Sequence, residues 1–385
     1  MTDLFFLEPA DTAAWEPFAR ARPVAEMRAG AWLIRERWEA ALGLHGSAIL
    51  SDQLLGFTDV DSPSVLPPSG AIGPAIIVRS DVVPPRVALE FSTRRLTSAG
   101  ATIAWKLESG ERWEGADDRG DATEVTALLL PGSWGLIDAL EQLLASDCLE
   151  FTAAPADPVP QGSIVLGDAS RVVCLDAIVE PGVVFDTRNG AVVLTEGVEV
   201  RSGTRLEGPL FAGPRTFLLG GQIRKSSFGP HCRVHGEMAT TVMVGYANKS
   251  HDGFVGHSVI SHWANLGAGT ITSNLKNTYG PVRLELEGER RDTGRTFLGS
   301  LIADHAKTGI GTLLSTGTII GAGASVTGSN VPRTVTPFAW GTEGRDRLDE
   351  EAFVRIAGRV LPRRDVTLST GREAWLRSLH SRLVR

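Results

Sequence analysis

Aliphatic residues recur at every sixth position through the second half of the chain. Leu166, Val172, Ile178 and Val184 are spaced in this way, and so are Val192, Val198, Thr204 and Leu210. Phe254, Ile260 and Leu266 follow, then Ile302, Thr308, Leu314, Ile320 and Val326. This period is neither that of an amphipathic helix nor the alternation of a half-buried strand. It predicts a parallel β-helix, a prism of short strands in which one aliphatic residue per face points inward. Glycine follows several of these residues (Leu166-Gly167, Leu266-Gly267, Ile320-Gly321), where a tight corner favours positive φ. Each coil buries its row only against its neighbours, so a stack of coils is required. A sandwich of short strands is the competing reading, and repeated sets in register argue against it.

The first part of the chain is patterned differently. Leu4 to Leu7 and Ala75-Ile76-Ile77-Val78 read as buried strands, while Ala25, Ala29, Leu33 and Trp38, and later Leu136, Leu140 and Leu143, have helical spacing. Alternating strands and helices predict an α/β layer domain over residues 1–155. The proline-rich run Ala153-Ala154-Pro155-Ala156-Asp157-Pro158-Val159-Pro160 reads as a linker, with the β-helix at 160–332 and a helical tail at 345–385. In that tail Phe353, Ile356 and Val360 line one helix. A second begins at Thr370-Gly371-Arg372-Glu373 with capping-box spacing and buries Trp375, Leu379 and Leu383, Arg382 and Arg385 favouring its C-terminal end.

Composition narrows the function. The net charge is −7 with dispersed basic residues, which argues against nucleic acid as a main partner. Cys148, Cys174 and Cys232 are odd in number and far apart, forming neither a disulfide framework nor a zinc cluster. No apolar run reaches membrane-spanning length and the N-terminus lacks a basic leader. A soluble cytoplasmic protein is the expectation.

The repeat is interrupted at Asn248-Lys249-Ser250-His251-Asp252-Gly253-Phe254-Val255-Gly256, followed by Asn265-Leu266-Gly267-Ala268-Gly269-Thr270-Ile271-Thr272-Ser273-Asn274. This region resembles the acetyltransferase half of the bifunctional GlmU-type enzymes of UDP-N-acetylglucosamine synthesis. His251, Gly256, Asn265 and the run to Asn274 keep that family's spacing. The resemblance implies a left-handed β-helix, an acyl-CoA site between neighbouring prisms of a homotrimer, and acetyl-CoA as cosubstrate. It implies His251 as general base, since an ammonium cannot attack a thioester until a neutral imidazole takes its proton. It further implies that Asn265 orients the acceptor, that the Ala268 N–H faces the thioester or the pantetheine arm, and that Asn274 and Ser300 lie near coenzyme A. His257, His262 and His305 read as structural. Phe254 stands where the family has tyrosine, and Ala239 where it has a phosphate-binding lysine. Arg224, Lys225, Lys249 and Lys276 are therefore the candidates for phosphate.

In the first domain, Arg22-Pro23-Val24-Ala25-Glu26-Met27-Arg28-Ala29-Gly30 resembles a signature of sugar-phosphate nucleotidyltransferases, and Ile76-Ile77-Val78-Arg79-Ser80-Asp81 resembles their strand ending at a Mg²⁺-holding aspartate. The resemblance implies Asp81 as metal ligand and Arg22 and Arg28 as phosphate contacts, with UTP as substrate. A turn or cap role for Asp81 is the equal alternative. The family's Gly-rich loop is absent, and Leu7-Glu8-Pro9-Ala10-Asp11 takes its place. The leading expectation is a bifunctional enzyme that acetylates glucosamine 1-phosphate and then transfers a uridylyl group. An acyltransferase with a degenerate first domain and a non-catalytic sugar-nucleotide-binding trimer are the alternatives.

Overall fold

The computed structural model describes residues 2–153, 155–342, 344 and 346–384. The chain divides into two units, Met1–Ser133 with Ser369–Leu379, and Trp134–Leu368 with His380–Arg385.

The first unit is built on β1 (Asp3–Leu7), α1 (Ile34–Leu42), β2 (Gly46–Leu50), β3 (Ser64–Leu66), β4 (Ala75–Arg79), β5 (Arg95–Ser98), β6 (Ala101–Leu107) and β7 (Ala122–Glu124). These strands form one sheet in the order β7-β5-β6-β4-β1-β2-β3. β1 runs parallel to both β2 and β4, and β6 runs antiparallel to β4 and β5. Leu4, Phe6, Ile77 and Val78 are fully buried, as central strands covered on both faces require. In α1, Ile34, Trp38 and Ala41 form the buried stripe, and Gly43 ends the helix in the left-handed conformation. The helical spacing expected from Ala25 to Leu33 is not realised. Val24–Glu26 makes one short turn, and Arg28–Ala29 pairs with Trp32–Leu33 in a hairpin whose turn holds Gly30 at φ 68°. Glycine at that turn wins over the helical spacing of its neighbours.

The second unit is a parallel β-solenoid with helices beside it. Among the described residues its three faces carry six, nine and ten strands, beginning at Ile164–Leu166, Val172–Cys174 and Ile178–Val179. On the second face the inward column runs Cys174, Leu194, Ala212, Phe228, Met243, Ile260, Ile302, Ile320 and Val335. In the first periodic set Val172 is buried in the core, but the other positions are one residue out of register. Ile178 is 63 % exposed, whereas Val179 packs against the core, and Val165 rather than Leu166 does the same. A strand alternates faces at every residue, so a slip of one exchanges inside for outside. The set from Ile302 to Val326 is buried throughout.

Helix α2 (Leu140–Phe151) lies on the second face, with the Phe151 ring 5.7 Å from that of Phe211. Helix α3 (Glu350–Val360) is capped by Asp349 and buries Phe353, while α4 (Thr370–Leu383) completes the chain of described elements. The cap of α4 is Ser369, one residue before the expected Thr370, since its hydroxyl accepts from the Arg372 N–H at 3.3 Å. Of the expected features, Ala154 in the linker and Arg385 in the tail lie outside the described residues. Cys148, Cys174 and Cys232 are buried and form no disulfide among the described residues.

Candidate functional site

His251 sits on the corner that leads from the third face to the first. Five residues, Ser250–Phe254, join Lys249 to Val255 there, whereas only three, His235–Glu237, join Val234 to Met238 one coil earlier. The longer corner projects, and the His251 side chain is exposed. Gly253 takes φ 130°, and a Cβ at that position would collide with the Thr270 carbonyl oxygen, so glycine lets the corner rest on the next coil. The Gly269 N–H donates to the Asp252 carbonyl at 2.9 Å, which ties the His251 corner to the Gly267–Gly269 corner beneath it. The Asp252 carboxylate lies 3.2 Å from His235 Nδ1. Between Gly267 and Gly269, the Ala268 N–H has no acceptor among the described residues.

Lys249 occupies a position of the inward column, between Val234 and Leu266, and is fully buried. Its ammonium donates to the carbonyls of His251 and Asp252, the latter at 2.9 Å, and burial pushes it down to about 8. Beside it on the outer column, Asn248 Nδ2 donates to Asn265 Oδ1 at 2.8 Å, and Ser250 Oγ donates to Asn248 Oδ1 at 2.6 Å. Next in register below Asn265 comes Lys307, which burial also lowers to about 8. Sequence reasoning missed Lys307. Its place in the column beside Asn265 was the available signal.

The other edge of the first face gathers a second group. Asn274 Nδ2 lies 2.8 Å from His257 Nδ1, and the His257 ring stacks on Phe297 at 5.3 Å. Burial, with Arg224 and Lys225 nearby, holds His257 down at about 4, so it is neutral at physiological pH. Gly256 has no room for a side chain, because the Phe254 ring folds over it and Asn274 Nδ2 would stand 2.8 Å from a Cβ. Arg224, Ala239 and Gly256 form one outward column in register. Arg224 pairs with Glu237 at 2.8 Å and Lys225 with Glu141 at 2.6 Å. The structure thus brings His251, Asn265 and Ala268 to one corner and Arg224, Lys225 and Asn274 to the opposite edge of the same face. Ser300 is buried, with its N–H donating to Ser258 Oγ at 2.9 Å. Lys276 lies in the loop that follows Asn274 and donates to the Pro281 carbonyl.

A feature the sequence does not announce runs along the corner between the second and third faces. His231, Tyr246, Trp263, His305 and Phe338 all take positive φ there, between 55° and 62°. Tyr246 stacks on His231 at 4.9 Å and on Trp263 at 4.6 Å, with His262 edge-on at 5.4 Å. His305 meets Phe353 of α3 at 5.5 Å. Stacking offsets the cost of left-handed backbone at non-glycine residues, and the His262 and His305 rings both take part in these contacts.

In the first unit a cleft of about 460 Å³ opens beyond the C-terminal ends of β1 and β4, lined by Glu8, Arg79, Asp81, Trp105, Asp117 and Asp118 among others. The chain passes from β1 to β2 on one side and returns to β4 on the other, the switch point at which open α/β sheets bind ligands. Glu8 accepts from the Val24 N–H at 2.8 Å, and burial, with Asp81 opposing ionisation as well, raises it to about 7. Arg79 clamps Asp81 in a fork, Nε to Oδ1 at 2.9 Å and Nη2 to Oδ2 at 2.7 Å. Arg22 does not line this cleft. It is buried against Asp59, which Arg372 also contacts at 3.2 Å. Arg28 is buried and donates to the Ala31 carbonyl. As arranged, Asp81 does not fit a Mg²⁺ ligand, because both its oxygens are engaged by Arg79.

An α/β domain followed by a parallel β-solenoid with terminal helices defines the class of this chain. Residues 4–153 match the model of the family described as sugar nucleotidyl transferase. The chain is 34 % identical over 145 residues to a bifunctional sugar-1-phosphate nucleotidylyltransferase/acetyltransferase of Sulfurisphaera tokodaii, covering 36 % of this chain and 35 % of that protein. It is 39 % identical over 80 residues to the bifunctional protein GlmU of Methanococcus vannielii, covering 21 % and 19 % respectively. Against the bifunctional protein GlmU of Methanocaldococcus jannaschii it is 30 % identical over 86 residues, covering 22 % and 21 %. The matched stretches span about a third or less of the length of these relatives. Among the described residues no helix is long and apolar enough to cross a membrane.

Proposed function

We propose that the chain is a bifunctional enzyme that acetylates glucosamine 1-phosphate from acetyl-CoA on the solenoid and transfers a uridylyl group from UTP in the N-terminal domain. The observation that carries the acetyl half is the single corner shared by the exposed His251, the Asn248–Asn265 pair and the unclaimed Ala268 N–H. The acceptor reacts as its neutral amine, whose nitrogen bonds to the thioester carbonyl carbon while the His251 imidazole takes the proton that this nitrogen sheds. The Ala268 N–H is available to the oxyanion that develops. The C–S bond breaks, and the leaving thiolate takes the proton back from the imidazolium. Asn265 orients the acceptor, and the Asn274 edge supports the coenzyme. The uridylyl half rests on the family match and on the cleft at the switch point of the sheet.

A second reading, acyl transfer alone, is favoured by the Arg79 fork on Asp81. Free thiol release from acetyl-CoA with glucosamine 1-phosphate tests the first activity, and pyrophosphate release from UTP with N-acetylglucosamine 1-phosphate tests the second. Thiol release without pyrophosphate release selects acyl transfer alone, and absence of both leaves a binding scaffold. In this reading the coils wind left-handed, the enzyme works in the cytoplasm, and it is a homotrimer. Ile271 and Leu313, paired in register and 42 % and 44 % exposed, support an apolar contact between prisms. Sedimentation as a lone 41.0 kDa species would remove the trimer.

A further inference from the structure

The chain carries a net charge of −7, yet one cleft of the second unit is strongly basic. It has a volume of about 400 Å³ and is lined by Lys276, Arg283, Arg290 and Arg333, with Glu285 the acidic member. Its wall is a hairpin, Arg283–Leu286 paired antiparallel with Glu289–Asp292. Val282, Leu284 and Leu286 are buried at 0–2 % exposure, so alternation turns Arg283 and Glu285 to the other side. The hairpin is seated firmly. A Cβ on Gly317 would stand 2.9 Å from Val282 Cγ1, and Thr334 Oγ1 donates to the Glu285 carbonyl at 3.2 Å.

The charges in this cleft are not balanced from within. Arg283 has Asp292 at 3.5 Å, and the Lys276 ammonium donates to the Pro281 carbonyl. Arg290 and Arg333 make no ion pair among the described residues. Like charges held together repel, and a bound anion removes that cost. Two guanidinium forks, each able to donate to a pair of phosphate oxygens, suit a phosphate better than a point charge does. The cleft also has a defined place in the solenoid. Gly317 donates to Gly299, and Gly299 to His257, each at 2.8 Å, so the cleft continues the corner line below the Asn274 edge. At one strand spacing per coil it stands about 10 Å from His257.

We infer that this cleft is a binding site for a phosphate monoester, with Arg290 and Arg333 as its principal contacts. None of its lining residues lies on the His251 corner; anion binding in the cleft stands apart from that corner, while the choice of ester rests on the proposed acetyl transfer. Two ligands share the required chemistry, a nucleotide with a ribose 3′-phosphate, such as the end of a coenzyme A, and a sugar 1-phosphate. Titration calorimetry of the full chain with adenosine 3′,5′-bisphosphate and separately with glucosamine 1-phosphate distinguishes them. Binding of one ligand is expected to weaken about tenfold or more in the double variant R290Q/R333Q, and to weaken with added salt. Whichever ester is affected names the source. Both side chains are exposed, so the variant should melt as wild type does; if it does not, R290K/R333K serves as the folded comparison and should bind more weakly than wild type. Equal affinity of both esters for wild type and a folded variant, or binding of inorganic phosphate that neither ester reproduces, overturns the site.

Discussion

Lys249 Nζ lies 2.9 Å from the carbonyl oxygen of Asp252 and also donates to that of His251, from inside the solenoid. A buried ammonium in an aliphatic column is costly unless it is hydrogen-bonded, and here its partners are the backbone of the corner that presents the candidate base. In the proposed acetyl transfer Lys249 thus acts as a positioning residue.

Lys249→Met should fold, since an aliphatic side chain suits the column, and stability should be equal or higher. Acetyl transfer should fall about tenfold or more through kcat, with KM for acetyl-CoA little changed, because a loosened corner misplaces the base rather than the coenzyme. Steady-state kinetics beside a melting curve provide the check. Unchanged kcat would leave Lys249 a packing residue only.

His251→Ala should melt as wild type does, because the side chain is exposed, and should lower thiol release about 10²–10⁴-fold. Retained thiol release in this variant removes His251 from the mechanism. Asn265→Ala should do less, chiefly by raising KM for the acceptor once the Asn248 contact is lost.

Arg22→Ala should behave as a stability variant. The expectation from resemblance was a phosphate contact, but the guanidinium is buried on Asp59. Its removal takes a buried guanidinium partner from that carboxylate, and a loss of about 3 kcal/mol is expected by denaturant titration. Wild-type stability with weakened UTP binding would restore the phosphate role.

Glu8→Gln should stabilise the protein at alkaline pH. Burial pushes the folded carboxyl up to about 7 from its ordinary value of 4.5, so ionisation costs the folded state more than the unfolded one. That cost is absent below 4.5, grows as pH rises through the window to about 7, and is full above it. The variant should melt higher at pH ~8, by about 1–2 kcal/mol, and show no gain at pH ~4. Melting curves at the two pH values decide it, and a gain at acid pH would contradict the burial argument.

Much of the architecture was legible in the chain itself. The six-residue period, the strands from Leu4 to Leu7 and Ala75 to Val78, and the terminal helices all follow from which residues must leave water, and that is recorded locally. The fixed spacing from His251 through Asn265 to Asn274 marked a stretch that the fold spreads over one corner, at His251 and Asn265, and the opposite edge of the same face, where Asn274 meets His257. The remainder was decided in three dimensions. Periodicity tolerates a slip of one residue, so only strand pairing showed that Val179 and not Ile178 faces inward. A lysine in sequence reads as a surface charge, and only coil stacking placed Lys249 in the interior column. Arg372 meets Asp59 across 313 residues, and Arg22 joins them, a meeting no local pattern encodes. The aromatic corner from His231 to Phe338 depends on left-handed backbone at successive coils, which non-glycine residues accept when each ring has its neighbour to stack against. Local pattern states what must be buried, and tertiary structure states against what.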